Sequence, residues 1–158
     1  IRQAVDLGLL VRCSLVVNPG GIDDLGWVME YIHSVGTYGA HMVVVREVWV
    51  PEVYGDWNQD VFGWNRENKI PIRPILDWFR DRAQSGRPLR SLKIREGTPL
   101  PWGTPVFLVD GFSNPSHGVN VTFALCEEAN VGSVIKSIVH KPNGHGYRNW
   151  DHNGDILY

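Results

Sequence analysis

Residues able to do chemistry are scattered along this sequence, and their spacing limits what each can do. Cys13 and Cys126 are the only cysteines, far apart and without a Cys-x-x-Cys or mixed Cys/His ligand spacing, which suits two buried thiols better than a metal site. Arg46 and Glu47 are charges inside an apolar run, where burial without a partner is costly, so each must be paired or near solvent. Adjacent strand residues face opposite sides. One of the two can therefore look into a site while the other packs against helices; the alternative is an ion pair between strand and helix. Arg87, Arg90, Lys93 and Arg95 form the most basic stretch, either an anion site or a solvated face. No phosphate-loop or dinucleotide glycine fingerprint is present, and Asn18-Pro19-Gly20-Gly21 is a strand-to-helix turn.

The elements that must position these residues follow from periodicity. Ile1 to Leu7 has the pattern of a helix end, broken at Gly8, and Leu9 to Val17 is a β-branched apolar run. Asp23 or Asp24 can cap a helix carrying Leu25, Val28, Met29, Ile32 and Val35 at helical spacing. A second apolar run follows from Met42 to Val50. Two such runs around one helix predict a parallel βαβ unit with both sheet faces covered. Residues 51–71 are polar and aromatic with little period, which predicts a long ordered loop or lid. A short helix carrying Ile72, Ile75, Leu76, Phe79 and Ala83 comes next, then a basic irregular stretch from Arg87 to Trp102. Val106–Val109, Val119–Leu125 and Val134–Val139 are strand-like, and Lys141-Pro142-Asn143-Gly144 is a turn signal before Tyr147 to Trp150. The division predicted is an α/β unit over 1–86 and a linker with a β-rich segment over 87–158.

Composition sets outer bounds. A chain of 158 residues, 43% of them hydrophobic, is long enough to bury a core. The 15 basic and 17 acidic residues give a net charge of -2, which argues against nucleic acid as a partner. No apolar run approaches the roughly 20 residues of a membrane span, so a cytoplasmic setting is expected. The chain opens at Ile1 in the register of a helix already under way, which leads to the expectation of further sequence upstream, although a removed leader would leave the same start.

Val11 to Asp24, an apolar strand followed by Asn18-Pro19-Gly20-Gly21 and an acidic helix start, resembles the fifth barrel strand and following loop of radical S-adenosylmethionine enzymes related to molybdenum-cofactor cyclases. Val44 to Pro51, with Arg46 and Glu47 in an apolar strand ending at proline, resembles the sixth strand. The segments around Val134–Val139, Pro142-Asn143-Gly144 and Tyr147–Trp150 look like the β-rich piece that follows the barrel in some members. The resemblance implies a partial (β/α) barrel, an α/β fold with a β-rich C-terminal segment. It also implies contacts to S-adenosylmethionine from Ser14, Val16, Asn18, Arg46 and Val50, and to substrate from Glu47, Trp49, Tyr54 and Trp57.

The family's Cys-x3-Cys-x2-Cys motif, which holds a [4Fe–4S] cluster, is absent from this sequence. The expectation is a C-terminal fragment, inactive alone, of an enzyme that cleaves S-adenosylmethionine reductively to attack a small-molecule or peptide substrate. The missing N-terminal half of the barrel is then its partner, in the same chain or as a separate subunit.

Each assignment has an ordinary counterpart. Ser14 can bond a neighbouring backbone group, Asn18 can be a turn residue, Trp49 can be core, and Tyr54, Trp57, Trp64 and Asn65 can anchor a loop as well as close a lid. His140, His145 and His152 with Asp151 and Asp155 faintly resemble a His-Asn-His nuclease, but no helical period follows Trp150, and a turn-rich hairpin accounts for them better. The rival from another class is a carbohydrate- or protein-binding module built on the seven tryptophans, which requires several Trp in one exposed row. The enzyme requires Trp27 and Trp49 packed in the α/β layer.

Overall fold

The structure is a computed structural model that describes residues 1–48, 50, 59–101, 103–112 and 117–125, together with the backbone of 139–140 and 146–147. Helix α1 (Arg2–Asp6) leads to strand β1 (Arg12–Val17), helix α2 (Leu25–Thr37) and strand β2 (Met42–Glu47). Helices α3 (Gln59–Glu67) and α4 (Arg73–Ser85) follow, then strands β3 (Lys93–Glu96), β4 (Val106–Asp110) and β5 (Val119–Ala124). The order in the sheet is β1-β2-β5-β4-β3. β1 and β2 are parallel neighbours, with Ser14 opposite Val44 and Val16 opposite Arg46. β2 and β5 are also parallel, whereas β4 runs antiparallel to both β5 and β3.

The protein is therefore a mixed α/β fold on a mixed sheet. Strands from both sides of position 86 complete one sheet, so that position does not separate two sheets. Within the β-rich segment, β3, β4 and β5 pair antiparallel, and β5 inserts between β2 and β4 and so joins the parallel half. Strands β6 (Val139–His140) and β7 (Gly146–Tyr147) pair antiparallel on either side of the expected turn, while Val134–Ile138 and Arg148–Trp150 lie outside the described residues.

Asp24 starts α2 by accepting the Trp27 N–H at 2.9 Å, a side-chain cap that stands in for a missing intrahelical partner. Val28, Met29, Ile32 and Val35 then line its buried side. In α4, Pro74 sits in the first turn where its missing N–H costs nothing, and Gly86 ends the helix in the left-handed conformation at φ 63°. Ile75, Leu76 and Phe79 form the buried side of α4. Together these faces cover the side of the sheet that carries Leu15, Val17, Val43, Val45, Val121 and Phe123. Phe79 stands at the centre, with ring centroids 5.4 Å from Phe107 and 5.2 Å from Phe123. Burying each such ring is worth roughly 1.5–3 kcal/mol.

Three expectations change. The sheet is not covered on both faces along its β1 edge: Arg12, Ser14, Val16 and Arg46 are exposed while Leu15 and Val17 are buried, the alternation of a half-exposed strand. The 51–71 segment is not all loop, since α3 occupies its second half. Its described apolar side chains, Val61 and Trp64, are each about half exposed, so no buried stripe announces the helix. The basic stretch after Arg87 contains β3, in which only Ile94 is buried, too short an alternation to read as a strand.

Candidate functional site

Among the residues singled out from the sequence, Ser14 and Arg46 are brought together. They lie on adjacent parallel strands and point to the same open side. The Arg46 Nε–H donates to Ser14 Oγ at 2.9 Å, leaving both terminal guanidinium nitrogens without a partner among the described residues. Val16, 44% exposed, adds an apolar surface on the same side. A planar cation held by a hydroxyl and flanked by an apolar side chain is suited to grip a carboxylate through two parallel N–H donors.

Glu47 goes elsewhere. Its side chain is buried on the helix side of the sheet, where Oε1 accepts the Ile72 N–H at 3.0 Å and Oε2 lies 3.7 Å from Lys69 Nζ. The one-residue offset from Arg46 sends it there, and it ties β2 to the start of α4. Of the two roles open to this pair of charges, Arg46 takes the open side and Glu47 the strand-to-helix link, so Glu47 does not line the surface where a substrate would meet Ser14 and Arg46.

Asn18 is engaged in its own turn. Its Nδ2 donates to the Val16 carbonyl at 3.0 Å, and its backbone pairs with Ile22 and Gly21. Val50 is half-buried beyond the end of β2. Trp49, Tyr54 and Trp57 lie outside the described residues, as does Cys126. Trp27 is 58% exposed on α2, a departure from the expected packing in the α/β layer: it falls on the side of the helix opposite Val28 and Ile32. The basic stretch does not act as one patch, because Arg95 is ion-paired to Asp110 while Arg90 sits at a separate turn.

Cys13 is half-buried and faces the helix side, beside Tyr31. Burial, and then the charge and hydrogen bonding of the Cys13 thiol, hold the Tyr31 hydroxyl above its ordinary pKa. Tyr31 belongs to no motif, but its place three residues after Val28 on α2 is the one sequence signal for its contact with the sheet. No group of three or more His, Cys, Asp or Glu side chains able to hold a metal ion occurs among the described residues. No helix among them is long and apolar enough to cross a membrane. Comparison with protein-family models, with curated proteins and with solved structures gives no match, so the residues themselves carry the functional argument.

Proposed function

We propose that this chain is the C-terminal part of the barrel of a cytoplasmic radical S-adenosylmethionine enzyme, with β1 and β2 as neighbouring staves. The single observation that carries the proposal is the exposed Ser14–Arg46 pair on two adjacent parallel strands. Sheets made only of parallel strands are almost always covered on both faces; in this mixed sheet the parallel β1–β2 pair is open along its outer edge, which leaves room for more protein or a ligand over the strip. Leu10, 85% exposed just before β1, adds apolar surface at the same edge. A barrel whose remaining strands pair with β1 would turn Ser14, Val16 and Arg46 inward.

In this proposal Arg46 binds the carboxylate of the cosubstrate and Ser14 fixes the guanidinium that does so. The [4Fe–4S] cluster does not fit this chain. Cys13 is turned to the helix side against Tyr31, and with Cys126 it makes only two thiols where three clustered ones are required. The cluster would belong to the rest of the barrel, in the same chain or a partner subunit, and this segment alone would be inactive. The substrate class is a small molecule or peptide.

The test begins with the reading frame upstream of Ile1, in which three closely spaced cysteines are expected. In the enzyme so defined, Arg46→Gln should weaken S-adenosylmethionine binding about tenfold or more, the worth of a charge-assisted hydrogen bond, and Ser14→Ala by less. Unchanged binding in both variants refutes the proposal, and an upstream frame without the cysteines assigns the cluster to a partner subunit.

A binding module is the second reading, favoured by the exposure of Trp27 and Trp64 at 58% and 51%; the exposed Trp27 counts against the barrel proposal, which expected it packed in the α/β layer. They stand on different helices, α2 and α3. If the module is correct, oligosaccharides added to the chain should change its Trp fluorescence saturably, and S-adenosylmethionine should not.

A further inference from the structure

A second site lies across the sheet from Ser14 and Arg46, on the helix side. A cleft of about 370 Å³ opens between the first turns of α2, the middle of α4 and the turn that leads into β3. We infer that this cleft binds a small ligand with a flat apolar body and one carboxylate or phosphate group. The inference stands apart from the barrel proposal, because none of its residues belongs to the open strip.

Much of the lining is apolar: Leu25 and Met29 from α2, Trp78 from α4, and Leu89 and Leu92 from the turn. A volume of this size accommodates a two-ring compound, and the indole of Trp78 gives it a flat surface to stack on. Two guanidiniums, Arg82 and Arg90, share the cleft with a single carboxylate, Glu30. Neither guanidinium has an ion pair among the described residues. Arg82 lies over the Trp78 ring at 5.2 Å, so the cation and the aromatic surface are already held together.

The turn carrying Arg90 is built with unusual care. Leu89 and Leu92 exchange both backbone hydrogen bonds at 2.9 Å, closing a two-residue turn on Arg90 and Ser91. This places Arg90 at φ 55°, the one positive φ outside glycine among the described residues. A left-handed conformation costs a residue with a Cβ roughly 1 kcal/mol or more, and glycine would remove that cost. Keeping arginine there sets a cation at the mouth of an apolar cleft. An anion on a flat molecule would satisfy Arg82 and Arg90 while its rings displace water from Trp78 and Met29.

The experiment uses the 158-residue chain and three probes, 2-naphthoate, 2-naphthylmethanol and inorganic phosphate, followed by amide and indole proton–nitrogen shifts. Naphthoate should bind saturably, with shifts confined to Gly26, Met29, Trp78 and Ser91, and at least about tenfold more tightly than the neutral alcohol, as expected for a charge-assisted contact. Binding of phosphate alone with the same shifts would assign the site to a free anion and overturn the flat-ligand inference. Arg90→Gly, which relaxes the turn and so leaves the fold intact, should weaken naphthoate about tenfold, and Arg82→Gln likewise. Equal affinity for naphthoate and the alcohol, or full affinity in both variants, also overturns it. Because S-adenosylmethionine binding is read at Arg46, failure here leaves the barrel proposal standing, and the reverse holds too.

Discussion

Replacing Glu47 by alanine should destabilise the fold through one bond more than any other. The Ile72 N–H lies at the head of α4, where no side chain of the helix itself caps it, and it donates to Glu47 Oε1 at 3.0 Å in a buried setting. Deleting the carboxylate strands that donor, a cost of about 1–3 kcal/mol, and removes a negative charge from the positive end of the helix, worth roughly 0.3–1 kcal/mol. A total near 2–3 kcal/mol is expected for Glu47→Ala. Glu47→Gln keeps an acceptor and loses the charge, so about 1 kcal/mol should follow. Lys69 is 3.7 Å away with its side chain 28% exposed, and Lys69→Met should cost below about 1 kcal/mol. Urea titrations report this directly: with a slope of about 1–3 kcal/mol per molar, the alanine variant should unfold roughly 1 M earlier than the parent. If the glutamine variant loses as much as the alanine variant, or alanine loses under about 0.5 kcal/mol, the hydrogen bond to Ile72 is not what holds Glu47 in place.

Two further outcomes follow from the same core and from Tyr31. Phe79→Ala should cost about 3–5 kcal/mol in urea or thermal unfolding, because its fully buried ring packs against both Phe107 and Phe123 and the space it leaves cannot collapse around two fixed strands. The Tyr31 hydroxyl titrates above 10.0 when folded, chiefly through burial and then through Cys13, so the folded state keeps a proton that the unfolded chain gives up. That contribution is complete below the unfolded value and is lost as pH rises through the folded one; stability should fall at about pH 10 and above, and Tyr31→Phe should flatten that fall in urea midpoints taken from about pH 8 upward.

How much of this was legible in the sequence depended on whether burial left a periodic trace. α2 was readable because Val28, Met29, Ile32 and Val35 repeat at helical spacing behind an Asp cap, and α4 because Ile72, Ile75, Leu76 and Phe79 do the same. The parallel pairing of β1 and β2 followed from two apolar runs around one helix. α3 and β3 left almost no trace: the first buries neither Val61 nor Trp64, and the second buries only Ile94. The place of β5 was hidden for another reason. Its buried Val119, Val121 and Phe123 specify a strand, but no local signal tells that it pairs with β2 across some seventy residues of chain rather than only with β4.

The same distinction decides what could be known of the site. Alternation fixed that Arg46 and Glu47 must part, yet the direction of each depends on which side α2 and α4 occupy, and that is a property of the packed sheet. Once the helices lie against Val43 and Val45, Glu47 is carried to them by register and Arg46 is left on the side of Ser14. A one-residue slip of β2 would exchange the two charges, burying a guanidinium against Ile72 N–H, where donor would meet donor. The hydrogen bond from Ile72 to Glu47 therefore does more than anchor α4: it penalises the wrong register, and so keeps Arg46 in the open strip on which the proposed cosubstrate contact rests.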